Sequence, residues 1–139
     1  MRYWDASALV PLCVHERDSA RLIALAREGE IVTWSLSKVE IASAIERRAR
    51  ERFLDESGRS AALLRLESLA AAWTEITALD AVRDRACRLL AVHELRAADA
   101  AQLAAATVAV AGDPAGCEFV CSDKRLAAAA QREGFTLPI

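Results

Sequence analysis

Arg2-Tyr3-Trp4-Asp5-Ala6-Ser7-Ala8-Leu9-Val10 changes character at a single residue. The first three positions read as a short strand, and from Ala6 the small and aliphatic residues read as a helix. Asp5 stands at the junction. The same order recurs along the chain. Ile31-Val32-Thr33-Trp34 is a β-branched and aromatic run short enough for a buried strand, and from Ser37 the residues Val39, Ala42, Ile45, Ala49 and Phe53 recur at helical spacing. Gly58 is expected to interrupt that helix, and a further one carries Leu63, Leu66, Leu69 and Trp73 on one face. Residues 74–77 then offer a third strand. Asp80 is expected to cap the next helix, with Val82, Ala86, Leu89, Leu90 and His93 as its apolar stripe. An Ala-rich helix over 96–111 ends at Gly112-Asp113-Pro114. A strand over 118–121, a helix over 123–133 stopped by Gly134 and a last strand over 135–137 complete the pattern. Between the first two strands, Ser19 is expected to cap a helix over 19–28 that stops at Gly29. Strands alternating with helices imply right-handed crossovers and an α/β fold with a mostly parallel sheet covered by helices.

The chain has 139 residues, the size of one domain over 1–139, with 54% hydrophobic and 27% charged residues. That mixture suits a soluble globular protein and argues against disorder. The net charge of −2 exerts no global pull on nucleic acid, so any such binding must come from a local cationic patch. There is no signal-like start and no uncharged stretch of spanning length, so no membrane is expected and the location is read as cytoplasmic. In a reducing compartment, Cys13, Cys87, Cys117 and Cys121 are expected as buried thiols rather than disulfides. No second ligand pair accompanies Cys117 and Cys121, which argues against a zinc site.

In an open parallel sheet, ligands bind beyond the carboxyl ends of the strands. Asp5 and Asp123 each follow a strand, while Glu40 and Asp99 lie in first turns of helices. Each acid also has a purely structural explanation, because carboxylates oppose the positive end of a helix dipole. Ser37-Lys38-Val39-Glu40 fits a capping box, and Asp5, Ser7, Ser122 or Asp123 suit N-caps. Asp99 resists that explanation most, standing in Ala97-Ala98-Asp99-Ala100-Ala101, where small neighbours imply close packing. If the four converge, repulsion on the order of 4 kcal/mol per close pair calls for a cation. An oxygen-only set favours Mg²⁺ or Mn²⁺, and such an ion suits phosphodiester hydrolysis by polarising a phosphoryl oxygen and activating water.

With these acids in this order, the chain resembles PIN-domain ribonucleases, and in particular the VapC-type toxins of VapBC toxin–antitoxin pairs. The resembling pieces are 4–10, 35–40, 95–103 and 121–126, which contain Asp5, Glu40, Asp99 and Asp123 in turn. The resemblance implies a PIN-like three-layer α/β/α fold and a Mg²⁺- or Mn²⁺-dependent endoribonuclease. It assigns catalysis to the four acids, with Asp5 and Asp99 as direct metal ligands, Asp123 completing a second metal position, and Glu40 orienting the attacking water. Ser7 and Ser122 become hydrogen-bond partners of those ligands. A VapB-type antitoxin and a homodimer are the implied partners, and a solitary housekeeping PIN nuclease is the alternative. In the family the first acid usually follows an apolar strand, whereas Arg2, Tyr3 and Trp4 precede it here.

For RNA, Lys38, Lys124 and Arg125 stand beside the acids, and Arg47 and Arg48 belong to the dense basic run 47–52, all suited to phosphate. A Mg²⁺-dependent phosphoacceptor receiver is a competing class that Asp80 keeps alive. It requires adjacent acids after the first strand, and here Asp5 is followed by Ala6 and Ser7. His93 reads as a hydrogen-bonded core or interface residue.

Overall fold

The computed structural model describes residues 1–139. Four three-residue strands, β1 (Arg2–Trp4), β2 (Val32–Trp34), β3 (Thr74–Ile76) and β4 (Glu118–Val120), form an all-parallel sheet in the order β3-β2-β1-β4. Seven helices cover it: α1 (Ala6–Cys13), α2 (Ser19–Ala26), α3 (Ser37–Arg50), α4 (Glu56–Ala70), α5 (Leu79–Val92), α6 (Ala97–Ala109) and α7 (Lys124–Arg132). The architecture is the expected α/β, with three layers. No helix is long and apolar enough to cross a membrane.

Strand pleat divides the core. Tyr3, Val32, Trp34 and Phe119 face one side, where they pack with Leu89, Leu103, Leu126 and the alanines of α6. Trp4 and Val120 face the other, against Leu9, Leu22, Ile41, Ile45 and Leu66. Both faces are covered, the usual condition for an all-parallel sheet. Tyr3 and Trp4 are fully buried, so the aromatic residues of β1 do the packing an aliphatic strand would do. Tyr3 stacks on Phe119 with ring centroids 5.3 Å apart. Arg2, at the start of the strand, is held by ion pairs to Glu118 and Glu28.

Register places the strand ends together. Trp4 pairs with Val120 and Tyr3 with Val32, and the Asp5 N–H extends the ladder by donating to the Val120 carbonyl at 3.0 Å. The segments following β1, β2 and β4 therefore leave from one edge.

Several local expectations need correction. Residues 135–137 do not form a strand; the segment makes one parallel bridge, Thr136 with Glu118. Buried Phe135 anchors it, but Pro138 lacks the N–H a longer ladder requires. Gly58 does not break a helix. The break comes at Arg52, whose φ of 63° reverses the chain after α3, and Gly58 lies in the first turn of α4, where its N–H donates to Asp55 at 2.7 Å. Asp80 makes no cap bond, because α5 begins at Leu79. Ser19 is buried in the first turn of α2 and its hydroxyl serves the preceding turn, accepting from the Glu16 N–H and donating to the Val14 carbonyl. Cys13 and Cys121 are buried thiols, whereas Cys87 is exposed and Cys117 half-buried.

Candidate active site

Asp5 and Asp123 are the N-caps of α1 and α7. Asp5 Oδ2 accepts from the Ser7 N–H at 3.0 Å and from the Ser7 hydroxyl, with the Cys121 thiol 3.6 Å away. Asp123 Oδ1 accepts from the Leu126 N–H at 2.8 Å. The structural explanation therefore holds for both residues, yet it occupies one oxygen of each. Asp5 Oδ1 and Asp123 Oδ2 have no hydrogen-bond partner within the protein.

Glu40 and Asp99 are not caps. The capping box expected at Ser37 is absent: α3 has no side-chain cap, and the buried Ser37 hydroxyl contacts Thr33 Oγ1 at 2.7 Å and accepts from Gln102 Nε2 at 2.9 Å. Gln102, fully buried on α6, also donates to Glu40 Oε1 at 2.9 Å and accepts from the Tyr3 hydroxyl at 2.7 Å. One amide thus ties β1, α3 and α6 together and aims Glu40. Sequence reasoning assigned Gln102 no role. Its signal was a polar residue one helical turn after Asp99 in an otherwise Ala-rich run, on the same helix face.

Asp99 lies within electrostatic reach of Asp5, Glu40 and Asp123, and Asp5 within reach of Glu40, on a gradient from the interior to solvent. Asp5 is buried, Glu40 and Asp99 are half-buried, and Asp123 is exposed. Burial, opposed by its hydrogen bonds to Ser7 and reinforced by Asp99, raises the Asp5 carboxyl above the ordinary range. Burial pushes Glu40 up to about 7, with Gln102 opposing and the charges of Asp5 and Asp99 adding to the shift. Burial and the charge of Asp123 raise Asp99, while Arg96 and Arg125 pull it down. Carboxylates from two helix caps and two helix first turns therefore add to the raised proton affinity of Asp5, Glu40 and Asp99.

They are neighbours rather than a closed cage. No three His, Cys, Asp or Glu side chains converge tightly enough to enclose one ion. The donor set nevertheless fits Mg²⁺ or Mn²⁺: it is all oxygen, it is under-neutralised, and its innermost member has an unpartnered oxygen. A hard octahedral ion uses one or two carboxylates and fills its remaining positions with water.

The supporting residues differ in detail from expectation. Ser7 holds Asp5 as anticipated. Ser122 contributes its backbone, because its N–H donates to Ser7 Oγ at 3.0 Å, while its side chain is exposed. Cys121 was not foreseen here. Its buried sulfur lies near Asp5 and Ser7 and accepts from the Asp123 N–H at 3.3 Å, which fixes the turn between β4 and α7.

Among the cations, Lys124 and Arg125 are exposed, free of carboxylate partners and beside the acids. Lys38 is paired with Glu67 at 3.0 Å. Arg47 and Arg48 lie two turns further along α3 than Glu40, about 10 Å along the axis. Arg48 is committed to Glu16 and to the Ala44 carbonyl. The basic run therefore flanks the turn between α3 and α4, where Arg47 and Arg48 line a hollow with Phe53 and His15. It does not border the acids. Asp80, the residue behind the receiver alternative, is exposed and paired with Arg83. No protein-family model matches this chain, and no curated protein matches it significantly.

Proposed function

We propose that the chain is a Mg²⁺- or Mn²⁺-dependent endoribonuclease of the PIN type, acting as the toxin of a pair whose partner is a VapB-type antitoxin. The observation that carries the chemistry is the electrostatic coupling of Asp99 to Asp5, Glu40 and Asp123 at one edge of a parallel sheet, where Glu40 has no capping duty. Accumulated negative charge at that edge is unfavourable unless a cation is part of the working state. The resemblance of the four acid-bearing segments supplies the toxin assignment and the antitoxin.

A bound divalent ion would polarise the scissile phosphodiester, lower the pKa of an attacking water and stabilise the leaving oxygen. Asp5, oriented by Ser7, and Asp99 would hold it. Glu40 has one oxygen fixed by Gln102 and the other unengaged, and a proton affinity near neutrality suits it to take the proton of the attacking water. Lys124 and Arg125 would neutralise substrate phosphate.

Purified protein is expected to cleave single-stranded RNA with Mg²⁺ or Mn²⁺, leaving 5′-phosphate and 3′-hydroxyl ends, and to stop in EDTA. Cleavage undiminished by excess EDTA, or unchanged in Asp99→Asn, overturns the reading. Co-purification of a short partner encoded next to this chain tests the toxin assignment separately from the chemistry.

A further inference from the structure

Asp18 stands at the start of α2 but does not cap it. Its φ of −94° and ψ of 2° lie outside the extended conformation that lets an N-cap side chain reach the helix N–H groups, and its carboxylate has no cationic partner. Arg21, three positions on, is the neighbour with which it would ordinarily pair. The Arg21 guanidinium instead donates to the Pro138 carbonyl at 3.3 Å. Both side chains are exposed, so an acceptor-only group and a donor-only group sit close together on α2 without engaging each other.

The two residues border a hollow of about 250 Å³ between the starts of α2 and α7, whose other wall includes Asp123 and Lys124. Asp123 belongs to the acid set, so the hollow opens beside the metal edge. Leu22, Ala127 and Ile139 give it an apolar side. Its volume lies below the about 300 Å³ at which pockets for drug-sized ligands begin, and suits one flat ring system. Asp18 and Asp123 against Arg21 and Lys124 give a charge balance of zero. A phosphate therefore gains nothing from the net charge of the hollow, whereas a neutral plane carrying its own donors and acceptors finds partners for both.

We propose that this hollow is a nucleobase subsite that selects guanine beside the scissile phosphate: Asp18 accepts from N1–H and N2–H, and Arg21 donates to O6 and N7. Guanine alone among the four RNA bases presents two neighbouring donors together with the O6 and N7 acceptor pair, the usual match for an arginine fork. Adenine and cytosine offer a carboxylate one amino group, and uracil one imino N–H. The separated acceptor and donor of α2 thus choose the base, and the apolar side packs against its face. The proposal rests on the ribonuclease reading and adds to it a rule for where the strand is cut.

The test is an NMR titration of the full chain in EDTA with guanosine, inosine, 7-deazaguanosine and adenosine, read at the Ser122 and Ala127 amides. Guanosine is expected to bind about tenfold tighter than adenosine, the value of one bidentate contact between a side chain and a base. Inosine lacks the N2 amino group and 7-deazaguanosine lacks N7, so each should bind more weakly than guanosine. Asp18→Ala should erase the difference between guanosine and inosine, and Arg21→Met the difference between guanosine and 7-deazaguanosine. Both positions are exposed and neither side chain caps a helix, so both variants keep the fold. In Mg²⁺, cuts in an RNA of mixed sequence should fall beside guanosines. Guanosine bound no better than adenosine, a preference untouched by both variants, or cuts scattered without regard to guanosine overturns the subsite. A parent that still cleaves RNA in Mg²⁺ then leaves the ribonuclease reading standing. A guanosine preference that the two variants abolish, in a parent that cleaves no RNA, keeps the hollow as a guanine site and removes the ribonuclease reading.

Discussion

Asp99 and Asp123 illustrate how two similar acids at helix starts differ in energy. Asp123 has a cap bond, and Asp123→Ala should cost about 1 kcal/mol of stability with or without metal. Asp99 is not an N-cap, and burial and Asp123 raise its proton affinity against the Arg96 backbone N–H and the charges of Arg96 and Arg125. Metal-free Asp99→Asn should therefore be as stable as the parent or more so, while losing cleavage and the response to Mg²⁺. Thermal melts with and without Mg²⁺ measure both; a destabilised but fully active Asp99→Asn assigns the residue to the helix dipole instead. Glu40 yields a pH dependence. Its folded pKa of about 7 lies above the ordinary carboxyl value, so its contribution is fully present below about pH 4.5 and is lost as pH rises through 7. Discounted for partial exposure, the loss is on the order of 1–2 kcal/mol. Metal-free melting temperature should fall between pH 5 and 8, and Glu40→Gln should flatten that profile. An equally steep profile in Glu40→Gln would locate the titration elsewhere.

Among the elements, α6 bears most of the burden of assembling the site. It contributes Asp99 at its start and Gln102 one turn later, and its alanines let it approach the sheet closely enough for Gln102 to reach Tyr3, Ser37 and Glu40. Gln102→Leu preserves approximate volume and strands three polar partners. Each unsatisfied buried group costs about 1–3 kcal/mol, so urea titration should show a loss on the order of 2 kcal/mol or more. Cleavage should fall as well, because Glu40 loses the amide that orients it. A Gln102→Leu protein of parental stability would mean that water replaces the amide. The α1 and α7 starts are alike in logic: an aspartate caps the helix with one oxygen and keeps the other for the edge of the sheet.

For the molecule as a whole, a net charge of −2 conceals a separation in which acids collect at one sheet edge beside unpaired cations of α7. A bound ion stabilises only the folded state, so Mg²⁺ at about a hundred times its Kd should add about 2.7 kcal/mol and raise the melting temperature by several degrees. The same addition to Asp99→Asn should give a clearly smaller shift. Both helical layers also leave apolar side chains open to solvent, Val39 and Leu64 on one and Leu79 and Val92 on the other. Scattered singly such residues are ordinary; grouped on a helix face they fit an interface. A homodimer by light scattering at micromolar concentration is expected, and a strict monomer would leave these faces to another partner.

What could be read from residue order alone is what depends on neighbours a few positions apart. The four strands, the alternation with helices and the location of four acids at or near helix starts follow from short apolar runs, helical periodicity and turn chemistry, all local properties. Residues remote in sequence decided the rest. Packing turned the Ser37 hydroxyl toward Thr33 instead of a cap, committed Arg48 to Glu16, left Thr136 with a single bridge, and brought Gln102 and Cys121 against the acids. Periodicity tells which face of a helix is buried but not what lies opposite it. A polar side chain's bonding is settled by whatever donor or acceptor the fold delivers, because leaving it unpaired in the interior costs more than the weak local preference for capping.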